Sequence, residues 1–198
     1  MAGRQPKQES NELFYRALSL QSAGLGDAAR QAYEALLQEE PEHLNALNNL
    51  GILCNNMGEH QQALGLFEQL IALVPQEAKA HTNRGVALKA LGRLEEAAQA
   101  YQHALTLDPR FHSAHNNLGN LLYSQGAFDK ALNYFETASS LQPQLEEYRF
   151  MLAKCLLELQ QMERARSELT LVLRSDPANA DAWGTLARLW SEKHAMPE

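Results

Sequence analysis

The sequence predicts an all-α protein, a right-handed superhelical solenoid of antiparallel helix pairs, and three observations lead to this fold class. A proline recurs at one constant interval, without insertion or deletion, at Pro41, Pro75, Pro109, Pro143 and Pro177. An alanine precedes each proline at a fixed distance, and Tyr, Phe or Leu follows that alanine one helical turn later. Each segment also reads as two amphipathic helices. Because one such pair cannot bury its apolar faces alone, neighbouring pairs must stack.

The stretch from His112 to Pro143 shows the repeat most clearly. Its first helix carries three leucines on one face, namely Leu118, Leu121 and Leu122. Gly126 interrupts this pattern, and a second apolar stripe follows at Ala131, Leu132, Phe135, Ala138 and Leu141. The second helix must end before Pro143, because proline lacks the N–H donor that a helix interior needs.

The period divides the chain into five repeats and a half-repeat. We expect a disordered segment over residues 1–9 and one solenoid domain over residues 10–198. The repeats span residues 10–43, 44–77, 78–111, 112–145 and 146–179, and the half-repeat spans residues 180–194. Each first helix carries a small residue at the same position, Ala17, Gly51, Gly85, Gly119 or Ala153, which predicts a close approach of two helix backbones.

Composition and charge exclude several classes of function. The net charge of −7 and the absence of Lys and Arg clusters argue against a nucleic-acid partner, since phosphate binding depends on such clusters. No apolar run approaches the roughly 20 residues of a membrane span, and the polar start does not resemble a signal peptide. The two cysteines, Cys54 and Cys155, are far apart in sequence and fit a reducing compartment. We therefore expect a cytoplasmic protein without a membrane span.

The small, small, aromatic and proline positions resemble those of the tetratricopeptide repeat family, whose repeat is a helix–turn–helix of about 34 residues. The resemblance covers the chain from about Ser10 to His194. It implies a scaffold for protein–protein interaction that has no catalytic activity of its own. It also implies that positions 2, 5, 6, 9, 12 and 13 of each repeat line a concave groove.

Asparagines recur in this implied groove. Asn49, Asn83 and Asn117 all occupy position 6 of their repeats. One asparagine can bind the N–H and C=O of a peptide unit together, and each costs about half a kcal/mol against alanine inside a helix. The sequence therefore predicts an asparagine ladder that holds an extended peptide by its backbone. Other predicted binding residues are Asn48, Lys79, Asn116, Asn120 and Tyr123.

The ladder resembles the groove of the repeats of O-linked N-acetylglucosamine transferase, and this resemblance leaves alternatives open. The ladder is interrupted at Tyr15, Met151 and Thr185. The chain is then either a binding module for a peptide or partner helix, or the substrate-recognition portion of a larger enzyme of that kind. A third interpretation is that the asparagines form a solvated helix face and reflect only shared repeat ancestry.

A clamp for the carboxylate of chaperone tails is a weaker hypothesis. In repeat co-chaperones this clamp consists of Lys, Asn, Asn, Lys and Arg over three repeats. The corresponding residues here are Phe14, Leu18, Asn49, Lys79 and Asn83, of which only Asn49 and Lys79 match. The clamp lacks two of its cations, which make the strong contacts to a carboxylate.

The sequence offers no catalytic, metal or cofactor site. His81, His112 and His115 have no carboxylate or cysteine at the spacing of metal ligands, so we expect packing histidines. The half-repeat over residues 180–194 leaves two alternatives open. Either its helix caps the fifth repeat with Trp183 and Trp190 packed inward, or Leu189 and Trp190 stay partly uncovered and are normally covered by more chain of a longer protein or by another subunit of a homo-oligomer.

Overall fold

Residues 6–194 form helices throughout, joined by short turns. A computed structural model describes the backbone of these residues and the side chains of residues 10–189. The helices are α1 (Pro6–Ser22), α2 (Gly26–Glu39), α3 (Leu44–Asn56), α4 (His60–Leu73), α5 (Ala78–Ala90), α6 (Leu94–Leu107), α7 (His112–Ser124), α8 (Phe128–Leu141), α9 (Glu146–Glu158), α10 (Met162–Ser175) and α11 (Ala180–His194). The predicted all-α fold of paired helices is confirmed. None of the described helices is long and apolar enough to cross a bilayer.

The contacts between helices divide the chain into a first unit, residues 1–108, and a second unit, residues 109–198. The first unit contains α1 to α6 and the second contains α7 to α11. The single solenoid domain over residues 10–198 stays a prediction. Of the segment predicted to be disordered, residues 1–5 lie outside the described part, and α1 already begins at Pro6.

The turn inside each repeat has the same backbone conformation. Its second residue is left-handed in every repeat, with φ of +74° at Gly24, +84° at Gly58, +75° at Gly92 and +74° at Gly126. Glycine suits this conformation because it has no Cβ to clash with the following carbonyl. In the fifth repeat Gln160 takes the same conformation, with φ of +58°. The fifth repeat therefore lacks the glycine of this turn but keeps its left-handed backbone conformation.

The small residue of each first helix makes room for an aromatic ring. A Cβ added to Gly51 would come within 2.6 Å of Phe67, and one added to Gly85 within 2.5 Å of Tyr101. Both rings are buried. We predicted a close approach of two helix backbones, whereas the neighbour at this position is the ring of the repeat's own second helix. Glycine is required here because the ring occupies the space of a side chain.

Position 4 of three repeats and of the half-repeat donates a hydrogen bond to the turn that precedes it. His81 Nε2 donates to the carbonyl oxygen of Pro75 at 2.8 Å, and His115 Nε2 donates to that of Pro109 at 2.9 Å. The same bond is made by Arg149 Nε to Pro143 and by Trp183 Nε1 to Pro177, each at 3.0 Å. Because a carbonyl only accepts, each histidine carries its proton on Nε2. The two histidines therefore anchor turns of the backbone.

The half-repeat packs onto the fifth repeat through one face of α11. Leu186 and Leu189 are buried and cluster with Leu169 and Val172 of α10. The expectation that Leu189 stays partly uncovered is therefore wrong. Trp183 is 51% exposed, so inward packing is wrong for this tryptophan. The side chain of Trp190 lies outside the described residues, and self-association through α11 stays a prediction.

Candidate functional site

Three of the predicted asparagines form one hydrogen-bonded chain in the first unit, which we name the amide network. Asn83 Nδ2 of α5 donates to Asn48 Oδ1 of α3 at 2.9 Å. Asn48 Nδ2 then donates to Asn49 Oδ1 at 3.1 Å. Asn49 Nδ2 donates to the hydroxyl of Tyr33 at 3.4 Å, and that hydroxyl donates to Gln21 Oε1 at 2.8 Å. The network thus links α5, α3, α2 and α1, and its members fix each other's orientation.

The members of the network differ in what they can still bind. Asn48 is 9% exposed and uses both its oxygen and one N–H within the network. Asn83 is half-buried and uses only one of its two N–H groups. Its Oδ1 accepts no hydrogen bond from the described residues. Asn83 therefore retains one acceptor and one donor, the pair that a peptide unit requires.

Tyr33 connects Asn49 to Gln21 in the amide network, and its side chain is fully buried in the first unit. Burial raises the pKa of Tyr33, and the hydrogen bond from Asn49 opposes this rise. The neutral hydroxyl both donates and accepts, which the chain from Asn49 to Gln21 requires. Tyr33 thus continues the network from Asn49 of α3 to Gln21 of α1.

A small pocket, which we name the side pocket, adjoins the amide network at Asn48. It has a volume of about 230 Å³. Its residues come from α3, the end of α4, the turn that follows α4 and the start of α5: Leu44, Asn45, Asn48, Leu70, Val74, Glu77, Lys79 and Ala80. Four of these side chains are aliphatic and the others are polar or charged. Two of the predicted binding residues, Lys79 and Asn48, thus line the same pocket. The pocket also has an apolar wall that the sequence did not indicate.

In the second unit, the predicted residue Asn116 lacks the hydrogen bond that Asn48 accepts in the first unit. Asn116 is 5% exposed, and its Oδ1 is buried without a partner among the described residues. Asn48 occupies the same position two repeats earlier, and its oxygen accepts from Asn83. The residue that corresponds to Asn83 is Met151, which has no donor. The loss of one asparagine in the fifth repeat therefore leaves Asn116 unpaired.

The other predicted residues of the second unit lie on α7. Asn117, Asn120 and Tyr123 are all half-buried. Tyr123 donates its hydroxyl to Glu158 Oε1 at 3.0 Å, and the ammonium of Lys154 lies 5.7 Å from the centre of the Tyr123 ring. Burial and Glu158 raise the pKa of Tyr123 to about 12. Tyr123 is therefore engaged within the second unit and stays neutral at physiological pH.

Tyr148 occupies the position in the second unit that corresponds to Ala80. Its side chain is 6% exposed, and its hydroxyl lies 2.8 Å from Nδ1 of His112. His112 itself corresponds to Leu44, which lines the side pocket. A large ring therefore fills, in the second unit, the place that a methyl group leaves open in the first.

The described residues contain no group of three or more His, Cys, Asp or Glu that could hold a metal ion. Cys54 and Cys155 are each buried and unpaired. Burial raises the pKa of both thiols to about 11, so both stay protonated and are poor nucleophiles. Neither cysteine has the thiolate character of a catalytic residue.

The comparisons with known proteins agree with the repeat pattern. A family model described as "Tetratricopeptide repeat" matches residues 20–90 and 122–189, and one described as "TPR repeat" matches residues 87–126. Together the matches cover more than half of the chain. The chain belongs to the tetratricopeptide repeat (TPR) family. The TPR fold generally serves as a scaffold for protein–protein interaction. Comparison with curated proteins finds no significant match.

Solved structures of other proteins share the fold of this TPR protein. A thermophilic TPR protein of Thermus thermophilus superposes with a TM-score of 0.77 at 24% identity, over 91% of this chain and 98% of that chain. The pilF protein of Pseudomonas aeruginosa gives 0.83 at 21% identity, over 96% and 87% of the two chains. YrrB, described as a TPR protein with an unusual peptide-binding site, gives 0.66 at 18% identity, over 94% and 100%.

Proposed function

We propose that this TPR protein binds an extended peptide along the amide network of the first unit, without catalysis. The observation that carries the proposal is the state of Asn83, which is anchored on Asn48 through one N–H and keeps its oxygen and second N–H. A peptide unit offers one donor and one acceptor, so it can pair with both groups. Because Asn48 already holds the amide in place, binding costs little side-chain entropy.

Other features support the same proposal. The half-buried position of Asn83 lets a ligand reach it, whereas Asn48 supports it from within. Asn49 also keeps its second N–H, since the other points to Tyr33. The peptide-binding site described for YrrB favours a peptide ligand for a TPR protein of similar fold. The two buried, unpaired cysteines fit a reducing compartment such as the cytoplasm.

The test is an array of peptides with random sequences and capped ends, probed with the wild-type protein and with Asn83→Ala. We expect the variant to lose most of the binding, because a peptide N–H and C=O then lose their partners. Alanine favours a helix, so α5 should persist, which circular dichroism can verify. The matched control is Asn133→Ala on α8, where Asn133 is exposed and reaches only Asp129 O at 3.5 Å.

The binding of the two variants shows whether Asn83 is part of the peptide site. Loss of binding by Asn83→Ala together with full binding by Asn133→Ala supports the proposal. Equal binding by Asn83→Ala and the wild type would contradict it, and so would an array on which the wild type binds nothing.

A further inference from the structure

The side pocket gives the proposed peptide site a means of side-chain selection. We infer that the pocket binds one aliphatic side chain of the peptide, and that Lys79 favours a carboxylate two positions along the same peptide. This inference rests on the proposed function and adds the chemistry of the ligand to it. Asn48 joins the two parts, because it belongs to the network and also lines the pocket.

The walls and the volume of the pocket indicate the size and polarity of its occupant. Leu44, Leu70, Val74 and Ala80 contribute aliphatic surface. Leu70 and Ala80 belong to the apolar core of the first unit, and Val74 packs against that core, so this surface is rigid. The volume of about 230 Å³ lies below the range of about 300–1,000 Å³ that is typical of small-molecule sites. A single aliphatic side chain therefore fits better than a cofactor.

The charges at the positions implied to line the groove indicate which peptide residue lies beside the aliphatic one. Positions 2, 5, 6, 9, 12 and 13 of the first three repeats include Lys79 and Lys89 but no Asp or Glu. The whole chain carries a net charge of −7, so this face is positive against an acidic background. Alternate residues of an extended peptide point to the same side. A carboxylate two positions from the aliphatic residue therefore lies on the side of Lys79.

Glu77 also lines the pocket and limits where that carboxylate can lie. Its side chain is exposed, as is that of Lys79. A peptide carboxylate beside Glu77 would be repelled, whereas one beside Lys79 would be attracted. Glu77 and Lys79 together thus favour the chain direction in which the peptide carboxylate lies beside Lys79 at the side pocket.

The second unit provides a natural comparison for the pocket. Two repeats further along the chain, Leu44, Lys79 and Ala80 correspond to His112, Glu147 and Tyr148. The Tyr148 ring is buried, its hydroxyl forms a hydrogen bond with Nδ1 of His112, and Glu147 stands where Lys79 does in the first unit. Copying these residues into the first unit should therefore remove the selection while it preserves the repeat architecture.

The experiment uses short synthetic peptides capped at both ends, so that no terminal carboxylate contributes. The central residue is Leu, Ala or Trp, the residue two positions before or two positions after it is Asp, Asn or Lys, and the remaining residues are Gly and Ser. Binding is measured by fluorescence anisotropy at low salt, where charge effects are largest. We expect the peptide with Leu and Asp to bind about tenfold more tightly than the one with Ala and Asp. The Trp peptide tests the size of the occupant: tighter binding of Trp than of Leu would overturn the assignment of an aliphatic side chain.

Two variants test the pocket and the charge separately. Leu44→His with Ala80→Tyr should abolish the difference between the Leu and Ala peptides. Lys79→Glu changes an exposed residue and should fold normally, and it should reverse the preference from Asp to Lys. The matched control for charge is Lys130→Glu on α8, which is also exposed and should keep the preference for Asp.

Failure of this inference differs from failure of the proposed function. If Asn83→Ala weakens binding but the Leu and Ala peptides bind equally to the wild type, the pocket is not a selection site and only this inference is overturned. An unchanged preference for Asp in Lys79→Glu would overturn the role of Lys79. If no peptide of the set binds to the wild type, both the inference and the proposed function fail.

Discussion

Asn83 Nδ2 donates to Asn48 Oδ1 at 2.9 Å, and this bond has no counterpart among the described residues of the second unit. There the corresponding residues are Asn116 and Met151, and the buried Oδ1 of Asn116 has no partner in the described part of the chain. The same repeat position is therefore satisfied in one unit and unsatisfied in the other. A buried acceptor without a partner costs about 1–3 kcal/mol, so the two asparagines should contribute differently to stability.

Replacement of each asparagine by alanine tests this difference. Asn48→Ala should lower the free energy of unfolding by about 1–2 kcal/mol, because it breaks two hydrogen bonds in a buried place. Asn116→Ala should be close to neutral or stabilising, because it removes an unpaired acceptor and favours the helix. Urea unfolding followed by circular dichroism measures both. An equal loss in the two variants would contradict this account.

Gly85 tests the packing of the aromatic ring against the first helix. A Cβ at this position would lie 2.5 Å from Cε1 of Tyr101, whose side chain is fully buried and cannot move away. We expect Gly85→Ala to lower the free energy of unfolding by about 1–3 kcal/mol. The control is Gly65→Ala in α4, where a Cβ has no heavy atom within 4 Å. That variant should gain about 0.5–1 kcal/mol, and a similar gain in Gly85→Ala would contradict the account.

Gln160 tests the cost of a left-handed side chain in the turn between α9 and α10. Its φ is +58°, at the place where the other four repeats have glycine. We expect Gln160→Gly to raise the free energy of unfolding by up to about 1 kcal/mol, because glycine relieves the Cβ clash. The reverse change, Gly126→Gln in the same unit, should cost about 1–2 kcal/mol. Thermal unfolding at one pH measures both, and opposite signs are the expected result.

The constant period of the repeats predicted much of this fold correctly. The first helices of the second to fifth repeats begin at Leu44, Ala78, His112 and Glu146, where the period places the starts of the repeats. These boundaries depend on local signals, namely the prolines, the turn glycines and the apolar stripes, and each signal is visible in the sequence. Even the conformation of Gln160 follows from its alignment with Gly126.

The site was only partly predictable, because its contacts depend on side chains from different repeats. The sequence indicated Asn48, Asn49 and Asn83 but not their bonds to each other, which depend on rotamers and on helix spacing. The side pocket depends on the small size of Ala80 beside its neighbours. The sequence signal for this pocket is the difference between Ala80 and Tyr148, which is visible only when the third repeat is aligned with the fifth. The hydrogen-bond donors at position 4 were not predicted, because His, Arg and Trp share no simple pattern.

His81 should make the stability of the first unit depend on pH. Its pKa is lowered from the usual value of 6.5, mainly by burial, and the nearby His103 and Arg84 add to this effect against the hydrogen bond to Pro75. The unfolded chain therefore binds a proton more readily than the folded protein. Stability is complete above about pH 6.5 and is lost as the pH falls through the folded pKa.

Comparison of urea unfolding at pH 8 and pH 5 for the wild type and His81→Leu measures this effect. Leucine is the residue at the same position of the second repeat, where Leu47 is buried. At pH 8 the free energy of unfolding of the variant should be about 1 kcal/mol lower than that of the wild type, because Pro75 loses its hydrogen bond. From pH 8 to pH 5, however, the free energy of unfolding should fall less in the variant than in the wild type. His103→Gln should only reduce the pH dependence, because burial is the main cause. If His81→Leu loses as much stability on acidification as the wild type does, His81 is not the group responsible.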